Sequence, residues 1–243
     1  MIIAAALCPS PPLLVRELTG ADPVAADLRE ACAAAVGALL AARPEVIVIV
    51  GTGPQTVPWP AGGRLSVAAF GGRAAPAADP APPAHEQPAP PAGRAVPPAT
   101  GLGGYLLDQA GYAGLRRLYS VSQDEPPADC QRLGKEIGGT AARTGLLVMA
   151  DGSARRGLRA PGHLDERAAP FDAGIERAMR AGDLPALAAV DPGLARELMA
   201  TGRPAWQVLA GATDGAAQRA DVMYADDPFG VMYIVAFFVP LAA

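Results

Sequence analysis

The chain has 243 residues, 51% of them hydrophobic, and a formal net charge of −4 with a pI near 5.2. That length suits one large α/β domain or two small ones, with enough apolar content for a sizeable core. A mildly acidic chain without a basic stripe argues against nucleic acid as a main partner, and only 5% aromatics leaves Ala, Val and Leu to fill most of the interior.

The opening MIIAAALCPSPP is apolar but lacks a basic leader, so residues 2–7 read as a buried first strand rather than a signal peptide. Prolines from Pro9 onward break it. Asp22-Pro23 looks like an N-cap with proline at the first helical position, and the helix runs to about residue 43. Leu28, Cys32, Val36, Leu39 and Leu40 share one face of it. EVIVIVGTGP at residues 45–54 follows, an unbroken β-branched run too short for a helix, hence a strand covered on both faces. This is a β-α-β unit with parallel strands and a right-handed crossover. Gly51-Thr52-Gly53-Pro54 reads as the turn beyond it, facing whatever site the sheet holds.

A third strand candidate spans residues 64–70, and residues 71–99 form a Pro/Ala-rich low-complexity loop with polyproline II character. Next come a helix over 100–110, a strand over 115–121, a helix over 129–143 ended by Gly145, and a buried strand over 146–150. After an irregular stretch, helices are expected over 173–181, 184–190, 192–200 and 204–217, then strands over 220–225 and 231–239. The alternation predicts a single α/β domain over residues 1–243, with a mixed, largely parallel central sheet flanked by helices. The apolar tail from Val231 is too short to span a bilayer, so no membrane is expected. Cys8, Cys32 and Cys130 make neither a CxxC pair nor a disulfide framework, which points to a reducing cytoplasm. The richness in Ala, Gly, Pro and Arg fits a GC-rich bacterial genome.

The chemistry-bearing candidates are sparse. Gly51-Thr52-Gly53 misses the spacing of phosphate-cradling loops, so a plain turn is the expectation. Cys8 ends the first strand, where a nucleophile could sit, but neither of the two histidines has a spacing that pairs with it. His85 falls in the Pro/Ala loop, whereas His163 sits in GHLDER beside two carboxylates and an arginine. Asp151 follows a buried strand, as an acid, a ligand or a cap, and the Asp226-Asp227 pair is a cation site or ordinary turn chemistry.

Five stretches then line up with a known family: CPSPPLLVRELTG at 8–20, EVIVIVGTGPQT at 45–56, LLVMADGSARR at 146–156, HLDERAAPFD at 163–172 and YADDPFGVMYIVAF at 224–237. Together they resemble class III extradiol ring-cleavage dioxygenases of the LigB type and the Memo-like proteins sharing that fold. The resemblance implies two histidines and a carboxylate around Fe(II), with another histidine as acid or base on a catechol. At the matching positions this chain carries Ser10, Gly53 and Ala154 instead of histidines, while Asp151 and Ser153 are kept. Asp226 or Asp227 is the rough match to the carboxylate ligand. The expectation is a degenerate dioxygenase-like protein with no metal ligands and no cofactor, in which Cys8, Ser10, Gly53, Ser153, Ala154, Asp226 and Asp227 line the cleft and Asp151 and His163 are the candidate catalytic groups. It binds a small molecule or serves as a partner subunit, and the resemblance implies a homo-oligomer. Two alternatives stand beside it. One is an active Fe(II) dioxygenase with a rearranged site built from Cys8, His163, Asp151 and Asp226 or Asp227. The other is metal-free chemistry through Cys8 or Asp151.

Overall fold

The computed structural model describes residues 1–19, 25–66 and 95–241. Among these, seven strands make one sheet: β1 (Ile2–Cys8), β2 (Val46–Gly53), β3 (Val57–Trp59), β4 (Leu115–Ser122), β5 (Thr144–Met149), β6 (Gln218–Asp226) and β7 (Tyr233–Pro240). Their order is β3-β4-β2-β5-β1-β7-β6. The inner four, β4, β2, β5 and β1, are mutually parallel. β3 and β7 pair antiparallel with their inner neighbours, and β6 pairs antiparallel with β7. The expected single α/β domain with a largely parallel mixed sheet is what forms.

Strand alternation sorts the apolar runs onto two faces. Ala4, Ala6, Cys8, Ile47, Ile49, Leu147 and Met149 join one core with α2 (Ala26–Ala41) and α3 (Pro98–Gln109). Leu7, Val48, Val50, Leu146 and Val148 join the other with α4 (Pro127–Gly138), α5 (Ala168–Ala181), α6 (Leu184–Ala188), α7 (Pro192–Glu197) and α8 (Arg203–Ala212). Chain order explains the split. β1→β2→β4 steps one way across the sheet through α2 and α3, and β4→β5 steps back through α4, so a constant crossover hand requires opposite faces. The helix α1 (Arg16–Thr19) is a short turn before α2.

Several boundaries differ from expectation. The Gly51-Thr52-Gly53 segment is strand, not turn, because the ladder to β4 continues to the pair Gly53–Ser122. Residues 64–66 carry no strand, and 67–70 lie outside the described residues, as do Asp22-Pro23, His85 and residues 71–94 of the Pro/Ala loop. The edge strand is instead β3, where Pro58 is tolerated because it has a partner on one side only. Trp59 Nε1 donates to Ser120 Oγ at 2.8 Å and pins it there. The helix α4 stops at Gly138, well before the expected end. Gly145 lies inside β5 rather than capping a helix, since a Cβ there would sit 3.0 Å from Pro44 Cβ: this glycine serves close packing. The helix α5 begins at Ala168, within the stretch expected to be irregular.

Candidate functional site

The carboxyl ends of the parallel strands share one rim. Cys8 is level with Met149, and Met149 with Gly51. The outer pair returns to the same rim, with Ala236 opposite Leu7 and Asp226 opposite Tyr233. Cys8, Ser10, Gly53, Asp151, Ser153, Ala154, Asp226 and Asp227 are therefore gathered from four separate stretches of chain. Moreover, the chain leaving β1 goes to α2 on one face while the chain leaving β5 goes to α5 on the other. Adjacent strands whose connections part in this way open a crevice at their ends.

Ser10 and Asp151 bridge that crevice. The Ser10 backbone N–H donates to Asp151 Oδ1 at 2.8 Å and its hydroxyl to Oδ2 at 2.6 Å. Asp151 keeps some solvent contact, but the surrounding protein raises its carboxyl above the ordinary value, and both Ser10 bonds oppose that rise. Tyr233, at the start of β7, borders the crevice; burial first and then the charge of Asp151 push its phenol up.

A second carboxylate is held the same way one loop further on. Ser153 donates its N–H to Asp172 Oδ1 at 2.9 Å and its hydroxyl to Oδ2 at 2.5 Å. Asp172 is buried, which raises its carboxyl against those bonds and against Arg156, 3.8 Å away. Arg156 also pairs with Asp227. Asp226 accepts the Asp227 N–H at 2.8 Å, so these neighbours form a turn rather than a paired acidic site.

The remaining candidates take no part in either carboxylate bridge. Gly53 has no room for a side chain, since a Cβ would lie 2.8 Å from both Pro97 Cγ and Ser120 Cβ. Ala154 is buried, with its N–H on the Leu198 carbonyl and its own carbonyl receiving Gly162. Cys8 is wholly buried, and its contact with Cys32 together with burial pushes the Cys32 thiol well up. His163 is exposed, at φ 60°, and its Nδ1 donates to the Leu158 carbonyl at 2.8 Å. The flanking carboxylate Asp165 goes to Arg167, whose hydrogen bonds hold it down to about 2, and no hydrogen bond or ion pair joins His163 to Asp151. Among the described residues, no group of three or more His, Cys, Asp or Glu side chains is placed to hold a metal ion. No helix among them is long and apolar enough to cross a membrane.

Sequence reasoning missed Asp172, Arg156 and Arg203. Asp172 sits in an amphipathic helix, where a carboxylate ordinarily faces water, and nothing local marks it as a partner of Ser153. Arg203 precedes a proline at a helix start and is buried just as silently.

No family model matches the chain, and no curated protein matches it. Among solved structures, the crystal structure of the uncharacterized protein JW3007 from Escherichia coli K12 is similar, with a TM-score of 0.56 over 98% of this chain and 99% of that one, at 12% identity. Likeness at that identity concerns the fold alone.

Proposed function

We propose that this chain is a catalytically degenerate relative of class III extradiol dioxygenases, which has given up iron chemistry and binds a small molecule in the crevice bridged by Ser10 and Asp151. The single observation that carries the reading is that bridge. It stands where open α/β sheets receive ligands, and both carboxylate oxygens of Asp151 already accept from Ser10. Fe(II) fits this donor set poorly. A glycine without side-chain space, a buried alanine and a committed serine stand where the resemblance implies imidazoles. An ordered hydroxyl beside a carboxylate suits a guest that brings hydrogen-bond donors, such as a phenol or an amine. The three free, buried cysteines fit a reducing cytoplasm, and a homo-oligomer follows from the resemblance.

Protocatechuate is the direct probe. Protein-observed NMR is expected to show saturable binding that Ser10→Ala weakens, with no ring-cleavage product and no oxygen uptake after incubation with Fe(II). Oxygen-consuming cleavage that scales with protein would overturn the loss of iron chemistry. Identical titrations of a panel of phenols, amines and protocatechuate with no saturable response would overturn the binding role.

A further inference from the structure

A cavity of about 300 Å³ opens at the other end of the sheet from the Ser10–Asp151 bridge. β1 and β6 begin beside it and β7 ends there, contributing Ile2, Gln218 and Pro240. The helices α4 and α8 also end there and contribute Gly138 and Ala212. A Cβ on Gly138 would lie 2.6 Å from the Ala212 carbonyl oxygen, so the two helix ends meet backbone to backbone. Ala216 adds a further small side chain to the wall. The volume is at the lower end of ordinary ligand pockets and suits a molecule of one ring.

Two buried polar side chains line this cavity with acceptor capacity to spare. Gln218 is 6% exposed; its Nε2 donates to the Ala216 carbonyl at 2.9 Å, and its Oε1 accepts nothing among the described residues. Thr213 is 7% exposed, and its hydroxyl proton goes to the Ala210 carbonyl at 3.0 Å, which leaves the lone pairs of its oxygen. An amide oxygen that closed off and unpartnered costs free energy, which a guest's O–H or N–H recovers. The charges beside it are already engaged. Lys135 pairs with Asp214 at 3.1 Å, and the Met1 ammonium donates to the Ala141 carbonyl at 2.6 Å. The C-termini of α4 and α8 set partial negative charge against that ammonium. An ionised guest therefore meets no waiting counter-charge among the described residues.

We propose that this cavity binds a small neutral molecule with an apolar body and one hydroxyl or N–H donor, of the aromatic alcohol type, which donates to Gln218 Oε1. The wall of Ile2, Ala212, Ala216 and Pro240 takes the apolar body. Specificity comes from the donor, because a guest lacking one leaves the Gln218 oxygen desolvated and unpaired. The site stands apart from the Ser10–Asp151 bridge and neither requires nor excludes a guest there.

Benzyl alcohol is the probe, titrated into the full chain and followed by protein-observed NMR. Saturable shifts centred on residues 211–218 are expected, with toluene, benzoate and benzylammonium each binding about fivefold more weakly or worse, the worth of one hydrogen bond. Gln218→Met keeps the volume and removes the acceptor, and should raise the benzyl alcohol midpoint about fivefold while leaving that of toluene in place. Ala216→Phe, at an exposed position that does not threaten folding, should fill the cavity and abolish the shifts. No saturable response, a midpoint no lower than that of toluene or benzoate, or a response that survives Ala216→Phe would overturn the proposal.

Discussion

Ser10 acts on Asp151 through two donors, and their worth depends on pH. Burial raises the Asp151 carboxyl in the folded state, so its contribution to stability is fully present below its unfolded value, about 3.9, and is lost as pH rises through the folded value. Above that, the folded chain carries a desolvated charge that the Ser10 bonds offset. Ser10→Ala removes the hydroxyl donor and lifts the carboxyl further. Stability should therefore fall by about 1.5–3 kcal/mol at neutral pH and by clearly less below about pH 3, where the group is largely protonated in either state. Urea denaturation at both pH values measures this, and an equal loss at both would contradict the role given to the hydroxyl. Both residues were legible in the sequence, Asp151 from its place after a buried strand and Ser10 from the resemblance. That Ser10 would turn its hydroxyl and its N–H onto one carboxylate was not, since residues 141 positions apart meet only through the parallel register of β1 and β5. His163 stands apart from Asp151 for a related reason: its neighbours in sequence are carboxylates, but its backbone is left-handed and its ring bonds the Leu158 carbonyl.

Helices α4 and α8 show how the element scale escapes sequence patterns. They touch backbone to backbone: a Cβ on Gly134 would lie 2.2 Å from the Val208 carbonyl oxygen, and one on Gly211 2.2 Å from that of Gln131. These approaches hold the Gln123–Glu125 loop and Arg203 together, because α8 carries Arg203 and α4 follows the loop. Gly134→Ala should force the pair apart and cost about 1–3 kcal/mol despite alanine's better helix propensity. Chemical denaturation would show it, and a neutral or stabilising result would mean that the helices separate freely. Inner strands were readable because β2 and β5 are continuous apolar runs. Helix ends were not, because the same glycine chemistry that stops a helix also permits close packing, as at Gly145. β3 went unseen because three residues with a central proline give no period, and its pairing with β4 and the bond from Trp59 to Ser120 are tertiary contacts.

At the scale of the whole molecule, the α/β alternation announced the sheet, and a constant crossover hand set which helices cover which face. That geometry puts Ser10 and Asp151 at the parting of two connections, and it brings Gly53, Ala154 and Asp226 to the same rim. The fold thus places the parting of the connections at this rim while its polar atoms are spent on one another: Asp151 on Ser10, Asp172 on Ser153, Asp227 on Arg156. Anaerobic calorimetric titration of the full chain with Fe(II) tests this most directly. Heats no larger than dilution, with no stoichiometric step, are the predicted result; a tight step near one iron per chain, abolished by Asp151→Asn, would contradict it.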